Sequence, residues 1–198
     1  MTMELAYSSV LTGAPFMFYE FKLLVALKNQ GNTDEEIRTK VLKENLFQLE
    51  KLSSIKRGLP YIIKRVNVLD KALRNFVIEE PFSMGKVINL YTIMKTDRLF
   101  FEFMNEVVAE KIVNQNLLLE KKDMNTFFAI KAEQNEAIST WTEQTVRKLQ
   151  QVHTKILLEV GILKDKKSWE LSRLIIDNQI KDHLIQIGDT KYIHALAE

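Results

Sequence analysis

Cysteine is absent from this 198-residue chain. That excludes a disulfide framework, a thiolate metal site and a cysteine nucleophile, and it fits the reducing cytosol. Glycine and proline are scarce, at six and three copies, which favours long helices over many-turned β structure. The glycines are all isolated, so neither a phosphate-cradling P-loop nor a dinucleotide fingerprint can form. His153, His183 and His194 are scattered without ligand-spaced neighbours. Neither G-x-S-x-G nor H-E-x-x-H occurs. Uninterrupted apolar runs such as Leu23 to Leu27 fall far short of the ~18 residues of a membrane span. The opening MTMELAYSSVLTG has no basic region leading into an apolar one, so no signal peptide is expected. These absences point to a soluble, cytoplasmic binding protein rather than an enzyme, with no cofactor, no metal and no membrane partner.

What is present is ordinary in amount and uneven in place. Hydrophobic residues make up 46% and charged residues 27% of the chain, with a net charge of only +2, so bulk electrostatics do not announce a nucleic-acid partner. Two windows, however, contain no acid. Residues 51–69 carry Lys51, Lys56, Arg57, Lys64 and Arg65. Residues 144–158 carry Gln144, Arg147, Lys148, Gln151 and Lys155, spaced three or four apart and therefore side by side on a helix. The opposite face of the second window holds Val146, Leu149, Val152, Ile156, Leu157 and Val160, the recurrence of one buried stripe. Gly161 stands where a left-handed residue would end that helix. Ile162 and Leu163 follow, then the charged turn Lys164, Asp165, Lys166, Lys167, then an apolar return at Trp169 and Leu171. This is the order of a recognition helix followed by a wing. Arg, Lys and Gln suit phosphate oxygens and base edges, although most such helix faces are simply solvated.

The apolar period is near 3.6 almost throughout, so the expected fold class is all-α. Six helices are expected over about the first 115 residues. The first runs from Phe16 with Pro15 at its start, and the second opens on the capping box of Thr33 and Glu36. A third contains Pro60, and caps at Asp70, Ser83 and Asp97 begin the rest. These make an N-terminal helical bundle over residues 1–115. A small C-terminal, winged-helix-like subdomain over residues 116–198, with one short β-hairpin, follows and ends in a helix reaching Ala197. Glu20, inside an apolar run, calls for a buried ion pair. Arg98, Glu102, Glu106 and Glu110 form an i, i+4 row. It lacks the Glu-x-x-His of a di-metal bundle and reads as a structural ladder.

Read end to end, the chain resembles the BrxA family of bacteriophage exclusion (BREX) systems over about residues 7 to 196. The carriers are Tyr7 with the small-residue arm up to Glu20, Glu44-Asn45-Leu46-Phe47-Gln48, and Ser53, Ser54, Lys56 and Arg57. The most specific block is Lys95-Thr96-Asp97-Arg98-Leu99-Phe100, continued by Phe103, Glu106, Val107, Glu110 and Lys111. Phe127, Phe128, Trp141-Thr142-Glu143, Thr145, Lys148, Leu149 and Gly161 complete the set. The resemblance implies a bundle like that of the antitermination factor NusB, then a small C-terminal subdomain. It also implies binding to double-stranded DNA beside a methyltransferase and ATPases in defence. A structural adaptor docking other BREX proteins, and a NusB-like RNA binder, are the alternatives. Aromatic residues near the basic windows, Tyr61 and Trp141, are too few to favour single strands.

Overall fold

The computed structural model describes residues 5–196. The first four residues of the expected arm, and Ala197 as the expected end of the last helix, lie outside the described residues. Two compact units make up the chain: residues 13–96, and residues 97–198 together with residues 1–12. The expected division after residue 115 is corrected by this, because the helix opening at Arg98 belongs with the C-terminal elements. The arm belongs there too, through the Tyr7 hydroxyl, which donates to a Glu102 carboxylate oxygen at 2.9 Å. Both units are helical. Among the described residues there is no sheet, only two isolated antiparallel bridges, so the chain is all-α as expected. None of the described helices is long and apolar enough to cross a membrane.

The unit of residues 13–96 contains α1 (Phe18–Asn29), α2 (Asp34–Glu44), α3 (Leu52–Asn67), α4 (Lys71–Glu79) and α5 (Phe82–Thr96). Phe18, Phe21, Leu24 and Val25 are the buried residues of α1, which packs against α3, α4 and α5. Each large apolar side chain so buried contributes roughly 1.5–3 kcal/mol. α1 starts later than expected: Met17 takes a left-handed φ of 44° as its cap, so Pro15 precedes the helix and is not its first residue. α2 opens on the anticipated reciprocal cap, with the Thr33 amide donating to Glu36 at 2.7 Å and the Glu36 amide to the Thr33 hydroxyl at 3.3 Å. α3 runs through Pro60 to Asn67, burying Ile55, Leu59, Ile62, Ile63 and Val66. One lost backbone bond at Pro60 is outweighed by that apolar stripe. Glu20 is half-buried with no ion pair among the described residues, contrary to expectation.

In the other unit, α6 (Arg98–Phe103) is capped by Asp97, whose carboxylate accepts from the Phe100 amide at 2.9 Å. It continues through a π-helical turn, Met104–Ala109, into α7 (Glu110–Val113). Then come α8 (Lys121–Gln134), α9 (Glu136–Ser139), α10 (Glu143–Val160), α11 (Asn178–Gln186) and α12 (Thr190–Ala195). Phe100, Phe103, Phe127, Phe128, Leu149, Val152 and Ile156 form the core. Leu11, in the 3-10 turn Val10–Thr12, is buried, and that turn packs on α10. The segment between α7 and α8 is more than a connection. Leu118 bridges to Glu170, and Leu163 bridges to Leu171. The unit therefore runs helix, bridge, helix, short helix, long helix, bridge, turn, bridge.

Candidate nucleic-acid interface

α10 places the second basic window. Thr142 caps it, accepting from the Thr145 amide at 3.2 Å, and Gly161 ends it at φ 89°, a conformation costly for any residue with a Cβ. Leu149, Val152, Ile156, Leu157 and Val160 are buried. Gln144, Arg147, Lys148, Gln151 and Lys155 are all exposed, and their spacing confines them to an arc of about 100°. Acids stand only at the ends of this face. Glu143 pairs with Arg147 at 3.0 Å and Glu159 with Lys155 at 3.4 Å. Exposed i, i+4 pairs of this kind contribute about 0.3–0.5 kcal/mol, too little to hold either cation away from a phosphate.

The turn after α10 is organised by Asp165. Its carboxylate accepts from the Lys167 and Ser168 amides at 2.7 and 2.8 Å. The backbone bonds from Ser168 and then Lys167 hold it below the usual carboxylate range. Lys166 and Lys167 are left exposed, whereas the Lys164 ammonium is drawn to Glu170 at 2.5 Å. Trp169 closes the turn in a left-handed conformation, φ 53°, rare for a bulky side chain. Its carbonyl accepts from the Leu119 amide at 3.0 Å.

Beside the basic face, α8, α10 and this turn enclose a pocket of about 360 Å³. Lys121, Met124 and Asn125 come from α8, Arg147, Gln150, Gln151 and Thr154 from α10, and Lys166 and Trp169 from the turn. No acid lines it. The Gln150 side-chain amide donates to Asn125 Oδ1 at 3.0 Å and ties the two helices together. Sequence reasoning found Arg147, Gln151 and Lys166 but missed Lys121, Met124, Asn125, Gln150 and Trp169. The available signal was Trp169 itself, an aromatic two residues beyond the lysine pair of a basic turn.

In the other unit, Lys51, at the N-cap position of α3, and Lys56, Arg57 and Lys64 on α3 are exposed. Lys64 reaches the Thr96 carbonyl at 3.4 Å, and the Arg57 stem lies over Gly13, where a Cβ would meet it at 3.3 Å. Arg65 departs from the expected set. It is 2% exposed, and its guanidinium donates to the Pro15 carbonyl at 2.6 Å, to the Phe16 carbonyl at 3.4 Å and to the Ala14 carbonyl. These carbonyls belong to the non-helical entry to α1, where no helix partner exists for them. Arg65 therefore secures a backbone turn and is withdrawn from any phosphate.

Two clusters of titratable groups lie elsewhere in the unit containing α10. The Arg98 row is pulled together by a residue from α8: Lys131 lies 2.8 Å from Glu102 and 2.7 Å from Glu106. Arg98 also pairs with Glu102 at 2.7 Å and stacks over the Tyr7 ring at 4.3 Å. Burial alone would raise the Glu102 carboxyl, but hydrogen bonds from Lys131, Arg98 and Tyr7 outweigh it and hold the group below its ordinary value. His153 is wholly buried, with ring centroids 5.0 Å from Phe100 and Phe103 and 5.6 Å from Phe128. Desolvation pushes its pKa down to about 3. A neutral imidazole sealed among aromatic rings is a packing residue.

The unit is thus helical, with an exposed basic helix face and a lysine-bearing turn. The BrxA family model matches residues 5–188, and the chain belongs to the BrxA family. It is 37% identical over 197 residues to the BREX protein BrxA of Bacillus cereus (strain H3081.97), covering 99% of this chain and 98% of that one. It is 20% identical over 193 residues to the BREX protein BrxA of Paramagnetospirillum magneticum (strain ATCC 700264 / AMB-1), covering 98% and 97%. The crystal structure of an uncharacterized protein from Magnetospirillum magneticum superposes with a TM-score of 0.85 at 19% identity, covering 96% of this chain and 97% of that one. That likeness extends the shared fold to nearly the whole chain.

Proposed function

We propose that this chain is a non-enzymatic, double-stranded-DNA-binding component of a BREX bacteriophage-defence system. The observation that carries the reading is the exposed, acid-free face of α10, from Gln144 to Lys155, running on into the lysine-bearing turn at residues 164–167. The order helix, bridge, helix, short helix, long helix, bridge, turn, bridge supports a winged-helix reading, in which the long helix enters a major groove and the turn lies against the backbone. Lys148, central on the face, carries no competing ion pair among the described residues. Lys51, Lys56, Arg57 and Lys64 add a second set of backbone contacts. The methyltransferase and ATPases of the system are the expected protein partners.

Binding through Lys and Arg releases counterions and is therefore steeply salt dependent. With about five phosphates engaged, the slope of log K against log salt is roughly −4 to −5 for duplex DNA. A gel-shift series with duplex DNA, single-stranded DNA and RNA at several salt concentrations measures it. A slope near zero, or no duplex binding at low salt, leaves the structural-adaptor reading. That second reading has its own observation. Tyr19 and Phe82 are exposed side by side, their rings 6.3 Å apart, on the unit of residues 13–96.

A further inference from the structure

The pocket between α8, α10 and the 164–169 turn has a composition that a plain phosphate-gripping surface does not need. Three cations, Lys121, Arg147 and Lys166, stand around an apolar interior made by Met124 and Trp169. Phosphate contacts alone call for cations on an open face, as on the rest of α10. An aromatic ring and a thioether inside a concave, acid-free site of about 360 Å³ suit a planar apolar group instead, as ligand sites generally do. The Gln150–Asn125 hydrogen bond at the edge of the pocket uses one polar atom of each amide. It leaves the Asn125 amide nitrogen as a donor and the Gln150 oxygen as an acceptor. A donor and an acceptor beside an aromatic face is the combination that reads a base edge. Trp169 is held there by its backbone, through the left-handed φ of 53° and the Leu119 bond to its carbonyl.

We propose that this pocket binds a single unpaired nucleotide, its base stacked on Trp169 beside Met124 and its phosphate held by Lys121, Arg147 and Lys166. The nucleotide comes either from an unpaired position in DNA gripped by α10 or from free nucleotide in solution. The proposal rests on the DNA-binding reading only for the first of these sources. In the first case the protein distinguishes duplexes carrying an extruded base, whose unstacking is already accomplished, from fully paired ones.

The chain has two tryptophans, so Trp141→Phe leaves Trp169 as the fluorescent reporter. This full-length variant is titrated with three probes: deoxyadenosine monophosphate, a short duplex with one bulged adenine, and the same duplex fully paired. The expected result is saturable quenching by the bulged duplex, by the mononucleotide, or by both, lost on adding Lys121→Glu. Quenching by only one of them identifies the source of the nucleotide and supports the proposal. Where the bulged duplex quenches, it binds about tenfold more tightly than the paired one, the scale of one base–aromatic stack. Trp169→Ala removes that preference while leaving paired-duplex affinity within about twofold. Trp169→Phe, which keeps a ring and guards against simple misfolding, retains part of it. Absence of quenching by both the mononucleotide and the bulged duplex overturns the proposal, as does quenching unchanged by Lys121→Glu. Paired-duplex binding, measured in parallel by gel shift, reports separately on the α10 face, so failure of the pocket and failure of the DNA reading are told apart.

Discussion

Lys131 of α8 holds Glu102 of α6 at 2.8 Å, with the two side chains only 7% and 15% exposed. Glu102 is the hub: both its oxygens accept from the Tyr7 hydroxyl, and Arg98 and Lys131 close the remaining positions. This ties the N-terminal arm, the helix before the π turn, and α8 into one network. Lys131→Met removes one charge and leaves the other part-buried, and the expected loss is roughly 2–4 kcal/mol of unfolding free energy. The double variant Lys131→Met with Glu102→Gln recovers part of it. Chemical denaturation of the three proteins measures this, and a single variant within about 0.5 kcal/mol of the parent would sink the idea. The pH dependence follows from the depressed Glu102 group. Its contribution is present above the carboxylate range of the unfolded chain and disappears as pH falls through the lower folded value.

Arg65 offers a contrast between structural and contact roles. Arg65→Ala leaves the Ala14 and Pro15 carbonyls without their guanidinium donor, while the Phe16 carbonyl keeps the Asn89 side-chain amide at 2.7 Å. The expected cost is about 2–4 kcal/mol. Arg65→Lys does not restore it, because a point charge cannot serve carbonyls that the planar fork reaches together. Thermal or denaturant melts give the stability, and gel shifts on the folded fraction give DNA affinity unchanged within about twofold. A stable Arg65→Ala protein with weakened DNA binding would reverse the assignment.

His153 makes the protein acid-sensitive in the same direction as Glu102, but through desolvation rather than ion pairing. Its folded pKa of about 3 lies below the ordinary histidine value of 6.5, so the unfolded chain binds the extra proton between those limits. Stability is fully present above about pH 6.5 and falls as pH drops, by up to about 1.4 kcal/mol per unit. Between pH 6.5 and 5 the parent loses about 1.6 kcal/mol more than His153→Leu does. Parallel pH dependences for the two proteins would show that the imidazole is not sealed.

The α10 face and the α3 face separate by charge reversal. Arg147→Glu with Lys148→Glu weakens duplex binding steeply while helix content and melting temperature stay nearly constant, since both side chains are exposed. Lys56→Glu with Arg57→Glu weakens it as well and flattens the salt slope by roughly one unit per lost phosphate contact. Loss in the first pair alone assigns the contact to α10. Loss in the second alone assigns it to α3, and changes below about twofold in both discard the proposed surface.

Local chemistry was legible in the sequence wherever the cause lay within a few residues. The Thr33–Glu36 box, the Asp70 and Asp97 caps, the Gly161 stop and the basic face of α10 all follow from neighbours along one helix. Arg65 was misread even though its cause was also local. It falls seven residues after Gly58 and three after Ile62, on the buried face of α3, and periodicity outranks its charge. The tertiary structure alone decided what joins segments far apart in the chain. Leu118 finds Glu170 across more than fifty residues, and Lys131 finds Glu102, so the boundary lies at Thr96 rather than after residue 115. The π turn at Met104–Ala109 belongs to the same kind of fact, since no residue in MNEVVA demands it. Trp169 shows the limit most plainly. Its ring matters because α8 and α10 stand beside it, and pattern reading along one strand or helix contains no term for a wall supplied by another element. Burial stripes and caps are set by nearest neighbours, whereas pockets and networks are set by which stripes meet.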